Sequence, residues 1–197
     1  MMFENEGRSA AAEMLTKMHK QVDKLTRLIT DLLDATKVNT GQMHLHYDKE
    51  SFDFNELVKE ASDEMQRTMP THKIEQHFSD TKIVTGDRGR IGQVITNLIT
   101  NAIKYSPGAN RIIVSTTYEN NNIKCCVEDF GIGIPASEHP KLFTRFFRVT
   151  NAETNTYPGL GLGLYISNEI IKRHSGTIDY KSEEGKGSTF CFSLPTS

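Results

Sequence analysis

A pair of asparagines one helical turn apart, followed by a lysine on the same side, is the first group in this sequence that could do chemistry. The stretch NLITNAIKYS (97–106) carries Asn97, Asn101 and Lys104 on one face of a predicted helix, and apolar residues fill the other face. Amide oxygens are hard, neutral ligands for Mg²⁺, and a lysine one turn further on can meet the phosphates that share the ion. A solvated polar face is the alternative interpretation of this helix taken alone.

A carboxylate followed by glycines is the second such group. The segment DFGIGIP (129–135) puts Asp129 at the end of a predicted strand, with Gly131 and Gly133 directly after it. A buried carboxylate needs a hydrogen-bond donor, which the exocyclic amine of adenine would supply, and the glycines leave space for a flat ring against the backbone. An ordinary turn capped by the aspartate is the alternative.

Further glycines precede a predicted helix. In PGLGLGLYIS (158–167), Gly159, Gly161 and Gly163 lead into the helix, so that bare N–H groups and the positive helix end converge where phosphates could bind. GKGSTF (185–190), between the last two predicted strands, is by itself a hairpin turn. No P-loop sequence occurs, and no G-x-G-x-x-G follows a strand and opens a helix, which excludes both of these familiar phosphate-binding fingerprints.

The composition limits the class of protein. The chain has 197 residues, a formal charge of −2 and no run of Lys and Arg, which argues against a nucleic-acid partner. It lacks the roughly 18 consecutive apolar residues that a spanning helix needs, and its start does not resemble a signal peptide, so we expect a cytoplasmic chain without direct membrane contact. Cys125, Cys126 and Cys191 are predicted to be buried thiols in a reducing compartment.

The elements that must position these groups change in type near residue 41. Before it, apolar residues alternate at spacings of three and four, which is typical of the seam of a coiled coil or helical bundle and predicts a helix that needs a partner helix. An amphipathic helix that packs on its own domain is the alternative. The seam consists of Leu15, Met18, Val22, Leu25, Ile29 and Leu32.

After residue 41 the pattern predicts a mixed unit of strands and helices. Strands are predicted over 43–48, 73–79, 82–86, 111–118, 123–129, 177–182 and 188–194. Helices are predicted over 54–69, 88–105 and 162–174. Several of these strands form antiparallel hairpins by their spacing, so we expect one sheet with helices layered on one face.

Together and in this order, NLITNAIKYS, DFGIGIP, LFTRFFR, GLGLGL and GKGSTF resemble the N, G1, F, G2 and G3 boxes of the catalytic domain of sensor histidine kinases, within the GHKL ATP-binding superfamily. The resemblance covers about residues 45–195, and LITDLLDATKVNTGQ is similar to the second helix of the dimerisation and phosphoacceptor hairpin of that family. It implies an α+β fold: a two-layer α/β sandwich with a mixed sheet and helices on one face, plus an N-terminal bundle-type helix. Residues 1–41 would be the partial dimerisation helix and 42–197 the ATP-binding domain, with a mobile ATP lid at about 136–157.

The resemblance also implies ATP and Mg²⁺ as cofactors and assigns roles to residues. Asn101 would bind Mg²⁺ with Asn97 beside the ion and phosphates, Lys104 would contact phosphate, and Arg145 or Arg148 would reach the γ-phosphate. Within LFTRFFR, Phe143, Phe146 and Phe147 would anchor the lid, simple core packing being the alternative. The implied nucleotide-binding residues are Asn101, Tyr105, Asp129, Gly131, Gly133, Ile134, Gly159, Leu160, Gly161, Leu162, Gly163, Leu164 and Thr189, of which Tyr105 and Thr189 would lie near the base.

The reaction implied by the resemblance is transfer of the γ-phosphoryl group of ATP to a histidine, for relay to an aspartate of a response-regulator receiver domain in two-component signalling. The full-length protein would form a homodimer through its helical hairpin. ATP-hydrolysing branches of the superfamily carry a glutamate as general base where this chain has Asn97, so we expect a poor ATPase that needs a nucleophile such as a neutral imidazole. That asparagine disfavours an ATPase acting on DNA or on protein folding.

The phosphoacceptor sequence of the family is missing. It is a histidine followed by an acidic residue and then an Arg/Thr-Pro pair, and none of the seven histidines has that context. His19 lies in the seam helix without it, and His174 ends a predicted helix, where a positive charge is favoured. The expectation is a truncated piece of a longer, membrane-bound sensor that cannot autophosphorylate on its own; the alternative is an ATP-binding regulatory or interaction module without autokinase activity.

Overall fold

The computed structural model describes residues 48–149 and 160–196, together with part of an N-terminal helix. The chain divides into two compact units between Gln42 and Met43. In the described part of the chain, no helix combines the length and the apolar character needed to cross a membrane. The described residues of the N-terminal helix are Met14, Met18, Gln21, Val22, Leu25, Thr26 and Ile29.

The N-terminal helix presents an apolar stripe. Met14, Met18, Val22, Leu25 and Ile29 are each between 51% and 65% exposed. Four of these residues belong to the predicted seam, whereas its two end positions lie outside the described residues. The predicted partner helix for this stripe stays a prediction.

The second unit contains two sheets rather than the single sheet predicted. Its main sheet has the order β2-β4-β5-β7-β6, in which β2 runs parallel to β4 and the other neighbours are antiparallel, and β1 pairs with β3 in a separate two-stranded sheet. The first strand begins at Lys49; of the strand predicted over 43–48, residues 43–47 lie outside the described residues and Asp48 is not in a strand. The strands are β1 Lys49–Asp53, β2 Lys73–His77, β3 Ile83–Asp87, β4 Arg111–Glu119, β5 Asn122–Asp129, β6 Thr177–Glu183 and β7 Gly187–Pro195.

The observed helices match the three helices predicted from the sequence closely. They are α1 Phe54–Thr68, α2 Arg88–Lys104 and α3 Gly163–Arg173, with a 3₁₀ helix at Ala136–Lys141. α1 and α2 each follow an aspartate that is the last residue of a strand. The Asp53 carboxylate accepts from the N–H of Glu56, and the Asp87 carboxylate accepts from the N–H of Arg90. These bonds satisfy backbone donors that a helix leaves unpaired in its first turn, so each helix starts directly where its strand stops.

The core lies between the helices and one face of the main sheet. Along β5, Ile123, Cys125, Val127 and Asp129 are buried while the residues between them are more exposed, and β4 alternates in the same way. Because successive side chains of a strand point to opposite faces, this alternation means that one face of the sheet is covered. The predicted two-layer α+β architecture is therefore confirmed.

The prediction of three buried thiols is wrong. Cys126 and Cys191, directly opposed on β5 and β7, form a disulfide, and only Cys125 is a free thiol among the described residues. Cys125 points to the covered face, and complete burial raises the pKa of its thiol to about 12. The error arose because strand register between segments 65 residues apart is set by tertiary pairing, which a single sequence does not encode locally.

His174 contradicts the expectation of a positive charge at the end of its helix. Its Nδ1–H donates to the carbonyl of Ile170 (2.8 Å), and its Nε2 accepts from the backbone N–H of Asp87 (2.9 Å). An imidazole that accepts through one nitrogen and donates through the other is neutral. Burial is the main reason why the pKa of His174 is lowered, so the favourable helix end is outweighed by desolvation.

We expect His174 to make the fold acid-sensitive. Because its folded-state pKa is lowered, the unfolded chain binds the proton more readily, and the free energy of unfolding should fall as the pH drops below about 6.5. His174→Gln should flatten this slope, whereas His77→Gln, at an exposed position of β2, should leave it unchanged. Urea unfolding at a series of pH values measures the slopes; equal slopes for wild type and His174→Gln would refute this account.

Candidate functional site

A mostly apolar cavity opens between the second half of α2, the ends of β5 and β7, and the segment that follows β5. Its few polar groups include predicted site residues on α2 and β5. An apolar cavity with a small number of placed polar groups is typical of a small-molecule site. It is lined by Asn101, Ala102, Tyr105, Asp129, Ile132, Gly133, Ile134, Leu142, Phe147, Arg148, Val149, Leu164, Ser188 and Phe190.

Asp129 is the buried acidic residue of this cavity and is only 6% exposed. Oδ1 accepts from the N–H of Gly131 (3.0 Å) and from the N–H of Ser188 (3.3 Å), whereas Oδ2 receives no hydrogen bond from the part of the chain that the structure describes. Burial raises the pKa of Asp129 to about 6, although both N–H groups act in the opposite direction. Near pH 7 the group is mostly an ionised acceptor with one oxygen available to a ligand.

The glycines after Asp129 are required by the protein's own backbone, which fills the space that a side chain would need at each of them. A Cβ on Gly131 would lie 2.0 Å from the carbonyl oxygen of Tyr105, and one on Gly133, at φ +64°, would lie 2.0 Å from that of Glu183. Between them, the N–H of Ile132 donates to the carbonyl of Tyr105 (3.0 Å). Gly131 thus lets the loop dock on the end of α2 and Gly133 lets it dock on the end of β6. Gly133 also lines the cavity.

Ser188 occupies the place that was predicted for Thr189. Ser188 pairs with Asp129 in the β5–β7 register, donates its N–H to that carboxylate and lines the cavity. Thr189 is the next residue along the strand and pairs with Glu128, so its side chain points to the opposite face of the sheet. The structure therefore does not bring Thr189 to the cavity.

The polar stripe on α2 divides into two parts. Asn101 lines the cavity, and no described residue hydrogen-bonds to its side-chain amide. Asn97 instead donates from Nδ2 to the hydroxyl of Ser167 on α3 (2.9 Å). At the end of the helix, Lys104 Nζ donates to the hydroxyl of Tyr105 (2.8 Å) and lies 4.5 Å above its ring. Asn101 and Tyr105 therefore face the cavity, whereas Asn97 joins two helices.

The second glycine segment leads directly into α3. A Cβ on Gly161, at φ +71°, would lie 2.6 Å from the carbonyl oxygen of Phe147, and one on Gly163 would lie 2.5 Å from Oδ1 of Asn97. Leu162, the residue before α3, makes no side-chain capping bond, so the first turn of α3 offers backbone N–H donors to an anion. Of the other predicted residues here, Leu164 lines the cavity, Leu162 is buried, Leu160 is partly exposed and Gly159 lies outside the described residues.

The two predicted arginines have different surroundings. Arg145 donates to the hydroxyl of Tyr165 on α3 (2.6 Å), and its guanidinium lies 4.7 Å from the centre of that ring. Arg148 lines the cavity. Of the two, Arg148 is the one that the described structure places beside the space a ligand would fill.

The aromatic residues of LFTRFFR do not share one environment. Phe143 packs near Tyr180 with ring centres 5.8 Å apart, Phe147 lines the cavity, and Phe146 is 60% exposed with φ +60°. Simple core packing is therefore wrong for Phe146.

In the predicted lid, residues 136–141 form the 3₁₀ helix, and 150–157 lie outside the described residues.

The residues fit a magnesium ion only if a ligand supplies part of its coordination. The described residues contain no cluster of three or more His, Cys, Asp or Glu side chains that could hold a metal ion. Asn101 offers an amide oxygen at the cavity wall. A single neutral oxygen does not hold Mg²⁺ by itself, but phosphates and water can complete the octahedron.

Sequence reasoning missed much of the cavity wall. Ile132, Leu142 and Phe190 are apolar residues from three segments that only the fold brings together. Phe190 lies two residues after Ser188 on β7 and thus on the same face, but the register that turns this face inward comes from the fold. The other two carry no local signal that distinguishes a cavity wall from the core.

Comparison with known proteins gives consistent relatives. The sequence model of a family described as "Histidine kinase-, DNA gyrase B-, and HSP90-like ATPase" matches residues 86–197. The chain is similar to the sensor histidine kinase WalK of Bacillus subtilis (32% identity over 96% of this chain) and to the sensor protein kinase WalK of Staphylococcus aureus (34% over 94%). It spans 31% of the length of each of these relatives.

Solved structures agree with the sequence relatives. The histidine kinase AdeS of Acinetobacter baumannii superimposes with a TM-score of 0.72 at 29% identity, over 93% of this chain and 84% of that one. The catalytic domain of histidine kinase ThkA gives a TM-score of 0.63 at 30% identity, over 76% of this chain and 96% of that one. The cavity described above thus belongs to a fold that these proteins share.

Proposed function

The chain belongs to the family of histidine kinase-, DNA gyrase B- and HSP90-like ATPases, and from that premise we propose that it is the ATP-binding kinase core of a sensor histidine kinase. The observation that carries the proposal is Asp129, a buried carboxylate in an apolar cavity with Oδ2 available to a donor. The exocyclic amine of adenine is a donor of the right kind, since it is neutral, planar and attached to a ring that suits apolar walls.

The nucleotide would lie with its base on Asp129 and its phosphates toward α3. Tyr105 and Ile134 would flank the base, and the uncapped N–H groups at the start of α3 would meet phosphate oxygens, with Lys104 and Arg148 as cations. Asn101 would hold Mg²⁺ together with the phosphates. When bound, the ion would offset phosphate charge as it moves during transfer.

The reaction would be an in-line displacement. A neutral imidazole nitrogen attacks the γ-phosphorus, the bond to the bridging oxygen of ADP breaks, and the phosphoryl group ends on the histidine. The protein would contribute position and cations rather than a general base. Asn97 cannot accept a proton, and its amide is engaged with Ser167, so we expect hydrolysis by water to be slow.

The proposal extends to partners. The acceptor would be a histidine outside the seven of this chain, and the phosphoryl group would then pass to a response-regulator receiver domain. The exposed stripe of the N-terminal helix would pair in a homodimeric hairpin bundle. The predicted lid would close over the nucleotide, and the protein would be the cytoplasmic part of a membrane-bound sensor. The relatives named as sensor kinases support the assignment to a sensor kinase.

An ATP-binding interaction module without autokinase activity is the second candidate, favoured by the absence of the acceptor sequence around every histidine. The experiment that separates the two supplies a helix carrying a histidine followed by an acidic residue, joined ahead of this chain, together with γ-labelled ATP. Acid-labile label on that histidine supports the kinase. ATP binding without label on the acceptor supports the module.

Asn101→Ala should remove the magnesium-dependent part of ATP binding. If the amide oxygen is a ligand of the ion, the gain in ATP affinity on adding Mg²⁺ should shrink by about tenfold, while ADP affinity without metal should change little. Thr100→Ala is the matched control, since Thr100 bonds only to Thr96 within the same helix. Calorimetric titration with and without Mg²⁺ measures both. A full magnesium effect in Asn101→Ala would exclude Asn101 as a ligand.

A further inference from the structure

His72 is a buried histidine that the proposed mechanism does not use. It lies in the turn between α1 and β2 and is 5% exposed. Its Nε2 is 2.8 Å from the carbonyl oxygen of Ser106 and 3.1 Å from the hydroxyl of the same residue, which stands 34 positions later in the chain. A polar side chain this deeply buried, bonded to the residue after Tyr105, touches the back of the cavity wall.

The hydrogen bonds settle which nitrogen of His72 carries a proton. The carbonyl of Ser106 can only accept, and the hydroxyl of Ser106 already donates to the carbonyl of Ala102 (2.5 Å). Nε2 must therefore be the donor to both oxygens of Ser106. Nδ1 then accepts from the hydroxyl of Thr71 (3.0 Å) when the ring is neutral.

The side chain of Gln66 on α1 holds the main chain at His72 in place. Gln66, near the end of α1, donates from Nε2 to the carbonyl of His72 (3.0 Å) and accepts through Oε1 from the N–H of Ile74 (2.8 Å). One side chain thus bonds the main chain at His72 and two residues after it. The donor at Nε2 is consequently fixed by elements outside the cavity.

The peptide that His72 bonds lies against the loop that carries the adenine acceptor. The carbonyl of Tyr105 accepts from the N–H of Ile132 (3.0 Å), and a Cβ on Gly131 would lie 2.6 Å from the Cα of Ser106. The N–H of Gly131 in turn bonds Oδ1 of Asp129. The Tyr105–Ser106 backbone is therefore held between His72 on one side and the Asp129 loop on the other.

We propose that His72 is a positioning residue for base recognition: by donating from Nε2 to Ser106, it fixes the distance between the Tyr105 wall and Asp129 and thereby favours adenine over guanine nucleotides. The inference rests on the proposed ATP site. Adenine presents an amine where guanine presents a carbonyl oxygen. An ionised carboxylate repels that oxygen, and the repulsion discriminates against guanine only if the carboxylate is held in place. Burial, rather than His72, dominates the pKa of Asp129, so the coupling runs through these hydrogen bonds.

The test compares replacements that keep or remove the donor. His72→Phe keeps a planar ring without a donor, His72→Asn has an amide too short to reach Ser106, and His72→Gln can place its N–H₂ near the position of Nε2. We expect the ratio of ATP to GTP affinity to fall by about tenfold, the loss of one ordinary hydrogen bond, in the first two variants and to stay near wild type in His72→Gln. His77→Phe, on the exposed end of β2, is the matched control.

Amide hydrogen exchange adds a readout that does not depend on nucleotide. In His72→Asn, and in His72→Phe if it folds, amide exchange at Ile132 should accelerate. Exchange at Val127, in the middle of β5, should stay as in wild type. His72→Gln should keep the exchange rate of Ile132 near that of wild type. An unchanged affinity ratio or an unchanged Ile132 exchange would overturn the proposal. A wild-type protein that binds neither nucleotide would refute the ATP site and with it the selectivity role, while the exchange data would still decide whether His72 clamps the loop.

Discussion

Asp129→Asn is expected to weaken ATP binding strongly and, at the same time, to stabilise the nucleotide-free protein. The asparagine can keep Oδ1 as acceptor for the N–H groups of Gly131 and Ser188. Its N–H₂ group then replaces Oδ2 and faces the adenine amine donor to donor. Losing a charge-assisted hydrogen bond and leaving two donors opposed should weaken ATP binding by about a hundredfold or more.

The stabilisation follows from the pKa of Asp129, which burial raises from an ordinary 3.8 to about 6. Because the folded-state pKa is raised, the folded protein binds the proton more readily than the unfolded chain. Stability is therefore lost as the pH rises from the ordinary pKa of 3.8 through about 6, and the loss is complete above that pH. Asparagine removes this cost. The free energy of unfolding should therefore rise by on the order of 2 kcal/mol near pH 8 and change little near pH 4.

Calorimetric titration of ATP and urea unfolding at the two pH values measure both effects. Asp80→Asn, at an exposed position before β3, is the matched control and should change neither quantity. A variant that loses ATP binding because it unfolds would be recognised by its lower stability. Wild-type ATP affinity in Asp129→Asn would rule out this carboxylate as the base-binding group.

Gly131→Ala is expected to have the largest effect on the fold of the site. The added Cβ would lie 2.0 Å from the oxygen and 2.7 Å from the carbon of the Tyr105 carbonyl. Both are backbone atoms at the end of α2, and moving them breaks the bond from Ile132 N–H to Tyr105. Overpacking against backbone should lower the free energy of unfolding by about 3 kcal/mol or more, and ATP affinity should fall because the loop carries Asp129.

Gly108→Ala is the natural comparison. A Cβ at Gly108 would meet nothing within 4 Å, so the substitution should be close to neutral or slightly stabilising. The difference between the two variants in urea unfolding isolates the steric contact from the general effect of replacing glycine. Similar stabilities for Gly131→Ala and Gly108→Ala would show that the loop does not pack on α2 as described.

The elements with strong periodicity could be predicted from the sequence, and those set by tertiary pairing could not. α1, α2 and the hairpin strands β4 and β5 follow directly from apolar spacing, capping aspartates and turn residues. The separate pairing of β1 with β3, and the Cys126–Cys191 disulfide, depend on which strands become neighbours. Register of that kind is decided by the whole fold.

Within the site, residue type was easier to predict than orientation. The sequence predicts Asp129 as a base acceptor because a buried carboxylate at a strand end needs a hydrogen-bond donor, and the structure places it in the cavity. Ser188 and Thr189 are both small hydroxyl residues, and only the register of β7 decides which one faces inward. Asn97 and Asn101 share one helical face, yet the approach of α3 engages Asn97 with Ser167.

Calorimetric titration of ATP and ADP into the wild-type protein, with and without Mg²⁺, tests the nucleotide site most directly. We expect both nucleotides to bind to the folded protein, with the affinity for ATP, but much less that for ADP, strengthened by Mg²⁺, because the ion needs the phosphates as well as Asn101. A folded protein that gives no binding heat with either nucleotide, with or without Mg²⁺, would contradict the account.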